Sequence, residues 1–436
     1  RCPPTIHVEI VQKSTSMASR EQVKQLSLAW LMSLQALSPG TILTGDQLDN
    51  SLAAHVDSIT ICDADYDTDV PVNTVPIQLH ICRLLSGTET DELPDASGDE
   101  VPVAEVWPLP STELHGIWES LVFDEPLKRD VLRFMEVALE FGEAGVDSHL
   151  VSCNRVVLLH GPPGTGKTSL CRALAHKLSV RLGDRFPRAR LLEINAHGLF
   201  SRWFSESGKL VAKLFERVRD VATDPKLLVV VLVDEVESLA AARRAAAAGL
   251  EPSDALRAVN ALLTQLDRLR RLPNCLVLTT TNVAGAVDGA FADRADLRRY
   301  VPPPGPTATY RVLRSCLEEL MLCGLVAPRE PLFAERVVEA SGGVGAAEPS
   351  ARLRALAVVA ARAKLSGRAL RRLPLLAAAL HLHTKPASLL TWLCALEVAL
   401  ARHTNDAEHF SAAAARDLQN VPDEAPVLQN GLDKTQ

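Results

Sequence analysis

An α/β fold, with a parallel sheet covered on both faces by helices, is predicted by three features of this sequence. The first is the glycine-rich loop Gly161-Pro162-Pro163-Gly164-Thr165-Gly166-Lys167-Thr168-Ser169, set between the apolar run Val156–Leu159 and the helix-forming run Leu170–Ala175. The second is the recurrence of continuous apolar runs, Leu191–Ile194, Leu227–Val233 and Cys275–Leu278, with helical stretches between them. Strands read this way when neither face meets water, as in a parallel sheet between helix layers. The third is the change of pattern on either side. Before the core, Ile6, Val8 and Ile10 and later Ile77, Leu79 and Ile81 alternate with polar residues, the period of half-buried strands. After it the chain is rich in Ala, Leu and Arg at helical spacing. Four segments follow: a small α+β domain at 1–105, the α/β core at 106–305, a helical domain at 306–402 and a tail at 403–436.

Within the first segment Val23, Leu26, Trp30, Leu34 and Leu37 fall on one helical face. The acidic run Glu89–Glu100, with Pro94 and Gly98, reads as a solvated loop closing the domain, a docking patch being the other reading. Trp107-Pro108-Leu109-Pro110 reads as a linker, because prolines fix φ and interrupt pairing. A helix is expected over 127–141. In the helical domain Leu313, Cys316, Leu317 and Leu320 share a face, and 351–365 forms another helix. The tail loses apolar periodicity, gains Pro, Asp, Glu and Gln, and is expected to be disordered.

A net charge of −7 argues against a dedicated DNA binder, whose footprint is basic. No apolar run approaches the roughly 20 residues of a membrane span, so neither nucleic acid nor membrane is an expected partner. Nine scattered cysteines without C-x-x-C pairs suit a reducing, intracellular compartment rather than a disulfide or zinc framework. The chain begins at Arg1 without a signal-peptide pattern, and is read as a truncated product whose targeting information at the N-terminus is missing.

The chemistry starts in the glycine loop. Glycines let successive backbone N–H groups turn toward an anion, and a helix N-terminus adds partial positive charge there. Lys167 can reach the β and γ phosphates of a nucleoside triphosphate, and the Thr168 hydroxyl can ligate Mg²⁺. The strand Leu227–Val233 delivers Asp234-Glu235 at its C-terminal end, where α/β sheets place ligands. Asp234 would hold Mg²⁺, directly or through water, and Glu235 would activate the attacking water as general base. A further strand ends in Thr279-Thr280-Thr281-Asn282, and Asn282 can contact either the γ-phosphate or that water. Phosphate loop and carboxylate pair together mean hydrolysis of ATP or GTP rather than passive binding.

These motifs, in this order, resemble the AAA+ ATPases over about residues 111–400. The resemblance implies an AAA+ P-loop parallel sheet with a helical lid domain, preceded by the small α+β N-terminal domain, and ATP with Mg²⁺ as ligands. Phe291-Ala292-Asp293-Arg294-Ala295-Asp296 is similar to the region that carries an arginine finger, with Arg294 at that position and Arg298 a weaker candidate. Such a cation offsets charge that develops on the γ-phosphoryl oxygens. The alternative for Arg294 is a local pair with Asp293 or Asp296. Ser366-Gly367-Arg368-Ala369-Leu370 is similar to the second sensor, with Arg368 toward the nucleotide. Ser201-Arg202-Trp203-Phe204-Ser205-Glu206-Ser207-Gly208-Lys209 resembles a pore loop, where Trp203 and Phe204 would grip extended polypeptide by apolar contact. Residues 240–254 would form a second pore loop.

A narrower resemblance, to the pachytene checkpoint protein 2 family and its vertebrate thyroid receptor-interacting branch, rests on several longer stretches. They are Leu114–Leu121, Asn154–His160, Trp203–Lys209, Asp234–Ser238, Glu251–Ala255 and Gly367–Pro374. Residues 341–351 and the tail after about 402 depart from the family. The resemblance implies a homohexameric ATPase that converts HORMA-domain proteins from closed to open form, with help from a HORMA-type adaptor. It would act in meiotic recombination and spindle-checkpoint silencing, on chromosomes in the nucleus and in the cytoplasm. A nucleotide-gated scaffold that assembles partners without threading them is the competing expectation. A nucleic-acid motor is disfavoured by net charge and by an aromatic pore loop.

Overall fold

A computed structural model describes residues 5–62, 70–94, 100–147, 150–195, 207–238, 253–283, 285, 287, 289–340, 342, 344–382, 384 and 386–419. The chain forms two compact units, 1–304 and 305–436.

The first unit opens with β1 (Ile6–Gln12), α1 (Arg20–Ser33), β2 (Ala36–Leu37), β3 (Ile42–Thr44), α2 (Asn50–Ala53), β4 (Val56–Ile61), β5 (Val70–Pro71) and β6 (Ile77–Cys82). Strands β3-β4-β1-β6 make one sheet, β4 antiparallel and β6 parallel to β1. Ile6, Val8 and Ile10 point into a core completed by Val23, Leu31 and Ile59. Helix α1 starts at a capping box between Ser19 and Gln22. Its buried stripe differs from the expected one: Val23, Ser27 and Leu31 face the sheet, Leu26 is 36% exposed, and Leu37 is buried from β2. The i, i+4, i+8 row that meets the sheet carries a serine, which hydropathy alone passes over.

The large sheet is built from β7 (Glu89–Pro94), β8 (Glu100–Leu109), β9 (Val156–His160), β10 (Arg188–Asn195), β11 (Leu227–Asp234), β12 (Cys275–Thr281) and β13 (Leu297–Tyr300). Their spatial order is β13-β9-β12-β11-β10-β8-β7. The five strands from β13 to β10 run parallel, as expected. Strands β8 and β7 extend the sheet antiparallel beyond β10. Two expectations are corrected by this hairpin. The acidic run read as a loop contains β7, the proline-rich linker is the end of β8, and both belong to the core sheet rather than to a domain ending near 105. Pro102 pairs beside a register shift at Asp91/Glu92, the kind of irregularity that tolerates a missing N–H.

Alternation within the parallel strands feeds two cores. Val229, Val231 and Val233 enter one with Phe215 and Leu262, while Leu228, Val230 and Leu232 enter the other with Leu132, Met135 and Leu174. The helices covering the sheet are α3 (Ile117–Ser120), α4 (Leu127–Glu143), α5 (Lys167–Arg181), α6 (Ser207–Ala222), α7 (Ser253–Leu269) and α8 (Gly289–Ala292). Helix α5 is buried on nearly every side, so its apolar residues show no stripe. Its flank carries Arg172, whose guanidinium makes a two-pronged pair with Glu193 of β10 at 2.9 and 2.6 Å. Arg155, with φ of +58°, is buried and donates to the carbonyls of Cys275, Leu272 and Arg270, closing the end of α7 onto β12.

The α+β domain rests on α5. Lys177 Nζ lies 2.7 Å from Glu9 of β1 and 3.3 Å from Glu119 of α3, over the Trp118 ring. Beside it His7 and His80 hydrogen-bond at 2.9 Å. Burial, then the charges of Arg181 and Lys177, push both imidazoles down, to about 3 and about 4. His176 on α5 is pushed to about 3, by burial first, and its Nδ1 accepts the Ser111 N–H. These rings are neutral when folded and take up protons below about 6.5 when unfolded, so the folded state loses stability as pH falls from there toward 4. Each fully buried ring is expected to cost up to about 1.4 kcal/mol per pH unit in that window. Urea titrations at pH 7.5 and 5.5 measure it. His176→Asn, which keeps an acceptor, should flatten the dependence; an unchanged slope would exclude His176 as a contributor.

The second unit contains α9 (Pro306–Leu322), α10 (Glu335–Ala340), α11 (Glu348–Arg362), α12 (Gly367–His381) and α13 (Leu389–Gln419). Leu313 and Leu317 are buried on α9, with Leu353, Leu370 and Trp392 in the same unit. Helix α13 corrects the expected disordered tail over 403–419; residues 420–436 lie outside the described ones. The eight cysteines among the described residues are all free thiols.

Candidate active site

The loop Gly161–Gly166 joins β9 to α5 at the C-terminal edge of the sheet, with the C-terminal ends of β11 and β12 beside it. Gly161 has φ of +150°, and a Cβ there would sit 2.3 Å from the Val301 carbonyl oxygen. No side chain fits that approach, which fixes the loop against the end of β13. Gly166 has φ of +93° and caps α5. Lys167 Nζ donates to the carbonyls of Gly161 and Pro162, both at 2.8 Å, so its ammonium lies along the inner rim of the loop. Thr165 Oγ1 donates to the Pro162 carbonyl at 3.0 Å. Pro163 and Ser169 complete the loop and first turn.

Thr168 and Asp234, the two expected Mg²⁺ ligands, meet directly: Thr168 Oγ1 lies 3.0 and 3.1 Å from the two carboxylate oxygens. A hydroxyl and a carboxylate this close, beside a lysine and a helix N-terminus, suit a hard cation held jointly with phosphate oxygens. Thr280 adds a contact that sequence reading missed. Its hydroxyl donates to Asp234 Oδ1 and accepts the Glu235 N–H at 3.3 Å. One side chain thus ties the ends of β11 and β12 together. The signal was present as a run of threonines ending an otherwise apolar strand.

Glu235 is exposed and sits at φ of +59°. That left-handed conformation is uncommon for a residue with a Cβ and costs of order 1–3 kcal/mol unless its surroundings impose it. Here the Val236 N–H donates to the Thr280 carbonyl at 3.0 Å and the Ser238 N–H to the Glu235 carbonyl at 3.2 Å. Asn282 follows β12, and its amide and backbone N–H both donate to Glu237.

Arg294 is engaged within its own chain. Nε and Nη2 donate to the two Asp267 oxygens at 2.8 and 2.9 Å, and Nη1 to the Ala290 carbonyl at 2.7 Å. The partner differs from both local ones considered from sequence. Asp296 accepts the N–H groups of Asn154 and Val156, while Asp293 pairs with Arg298 at 3.5 Å. Arg368 is exposed near the start of α12, in the second unit. Trp203, Phe204 and the expected second pore loop up to 252 lie outside the described residues.

The family of ATPases associated with various cellular activities (AAA) matches residues 157–303. The TRIP13 N-terminal domain matches residues 1–86, and the TRIP13-like, AAA+ ATPase lid C-terminal domain matches 305–404. The chain is 42% identical over 413 residues to the pachytene checkpoint protein 2 homolog of Canis lupus familiaris, covering 94% of this chain and 95% of the relative. To the Homo sapiens homolog it is 40% identical, with the same coverage. The solved structure of C. elegans PCH-2 superposes with a TM-score of 0.74 at 31% identity, covering 92% of this chain and 99% of that one. The lid match runs through 341–351, the stretch expected to depart from the family, and ends at 404.

Proposed function

This chain belongs to the pachytene checkpoint protein 2 family of AAA ATPases, and from that membership we propose a homohexameric remodeller of HORMA-domain proteins. ATP hydrolysis would drive pulling on a terminal segment through the pore, converting the closed, partner-bound form to the open form. A HORMA-type adaptor would present the substrate to the α+β domain. Meiotic chromosomes in the nucleus and spindle-checkpoint complexes in the cytoplasm are the settings this implies.

The observation that carries the reading is the wiring of Asp234 and Glu235 to Thr168 and Thr280, a hydrolytic apparatus that an assembly scaffold would not need. In this reading the loop 161–166 and Lys167 hold the phosphates, and Thr168 and Asp234 hold Mg²⁺. When bound, the cation supplies positive charge against the phosphoryl oxygens. Glu235 takes the proton of the attacking water, and Asn282 orients that water. Arg294 exchanges Asp267 for the γ-phosphate in the neighbouring subunit, so each site depends on its neighbour. Arg368 links the lid to the nucleotide.

The test is ATP turnover and HORMA conversion measured together, with and without a closed HORMA protein and its adaptor. Trp203→Ala is expected to leave basal hydrolysis within about twofold of the unaltered chain while abolishing conversion. Conversion that survives the change would refute gripping by Trp203. An unaltered chain that hydrolyses ATP and binds the HORMA complex without converting it would establish the scaffold instead.

A further inference from the structure

Glu237 lies two residues beyond Glu235 in the turn after β11, and the hydrolytic assignment above leaves it without a role. The Asn282 backbone N–H donates to Glu237 Oε1 at 3.1 Å, and Asn282 Nδ2 donates to the same oxygen at 3.0 Å. The second oxygen, Oε2, is buried and has no partner among the described residues. A buried polar atom left unmatched costs about 1–3 kcal/mol, so packing alone does not account for a carboxylate here.

Two donors converging on Oε1 establish it as an acceptor, and that settles the orientation of the Asn282 amide. The NH₂ end is committed to Glu237. The carbonyl Oδ1, on the other branch of the planar group, is therefore the end left for a different partner. Asn282 directly follows Thr281, whose carbonyl accepts the Gly161 N–H at 3.3 Å, so the residue stands at the end of β12 between the phosphate loop on one side and the turn after β11 on the other. A phosphoryl oxygen only accepts hydrogen bonds, whereas a water has protons to donate. Oδ1 can serve the water and not the phosphate.

We propose that Glu237 is a positioning residue for hydrolysis, holding the Asn282 amide so that Oδ1 accepts a hydrogen bond from the attacking water. The two sensor roles open to Asn282 from sequence are thereby separated. Asn282 fixes where the water stands, Glu235 takes its proton, and Glu237 determines which face Asn282 shows.

Single-turnover ATP hydrolysis and fluorescent-nucleotide binding of the full chain test this, with Glu237→Ala, Glu237→Gln, Glu237→Asp, Asn282→Ala and the Glu237→Ala/Asn282→Ala pair. Glu237→Ala should slow turnover by up to about 100-fold, the scale of a displaced catalytic contact, with ATP affinity unchanged within about twofold. In the pair the second change should cost no more than about twofold beyond Asn282→Ala, since both remove one contact. Glu237→Gln keeps the Oε1 acceptor and should recover most of the rate. Glu237→Asp keeps the charge but withdraws the acceptor, and should be slow. Multiplicative losses in the pair, a fast Asp variant or a Gln variant as slow as Ala would each overturn the proposal. If Glu237→Ala does not fold, the Asp and Gln variants decide between the same outcomes. These are basal rates, so a chain that behaves as expected here yet converts no HORMA protein refutes the remodelling reading alone.

Discussion

Glu235→Gln is expected to keep ATP binding and to lose hydrolysis by about 10²- to 10⁴-fold, the contribution of a positioned general base. The amide is nearly the size of the carboxylate and preserves its reach. It cannot take a proton from water at neutral pH. The surrounding geometry should survive, because it is held by backbone: the Glu235 N–H is bound to Thr280 and the Val236 N–H to the Thr280 carbonyl. Neither contact involves the substituted group. Phosphate binding should survive as well, since Lys167 and the loop lie on a different element and Thr168 remains opposite Asp234. Equilibrium binding of a fluorescent ATP analogue and single-turnover phosphate release separate the two effects. Residual turnover within about tenfold of the unaltered chain would mean that another group activates the water. Parallel loss of binding would mean that the turn at +59° depends on the carboxylate itself.

Which parts of this arrangement could be read beforehand follows from how local each signal is. The phosphate loop is contiguous, and β9, β11 and β12 are continuous apolar runs, because each is buried on both faces between two cores. Period and composition report that burial directly. The sequence of the hairpin β7–β8 reads as loop and linker because acidic residues and prolines dominate its composition. Its pairing to β10 depends on residues some eighty positions away. The extension of α13 to Gln419 was hidden for another reason: the stretch Ala412–Ala415 favours helix by propensity without any apolar stripe. At the site, the ends of β11 and β12 were visible, but the contacts joining them were not. Thr280 to Asp234, Asn282 to Glu237 and Arg294 to Asp267 each close a gap of 27 residues or more. Chemistry carried by one segment is legible in sequence; the choice of partner among several equivalent carboxylates is made by the fold.

Lys177 is the extreme case, and it carries the second large effect. Its charge sits in the interior of α5, 2% exposed at the side chain, against Glu9 from a different domain 168 residues away. Burial works against its ammonium, yet the charges of Glu9 and Glu119 hold it above the usual lysine range. Lys177→Met is expected to destabilise the first unit by about 3–5 kcal/mol, because it leaves a buried carboxylate whose partner is gone. Glu9 already has one oxygen, Oε1, with no partner among the described residues. Glu9→Leu should cost less, since Lys177 then keeps Glu119 at 3.3 Å and the Trp118 ring. The double replacement should fall close to the unaltered chain, as buried ion pairs exchanged for apolar side chains commonly do. Urea unfolding followed by tryptophan fluorescence gives all three values. Near-additive losses would show that Glu9 and Lys177 act independently and that the domains are joined elsewhere. A strong positive coupling has a mechanical consequence. Lys177 is ten residues into the helix that begins at Lys167, about 15 Å along its axis. A substrate held by the α+β domain would then be fixed to the helix that carries the nucleotide loop, and force would pass between them without a flexible joint.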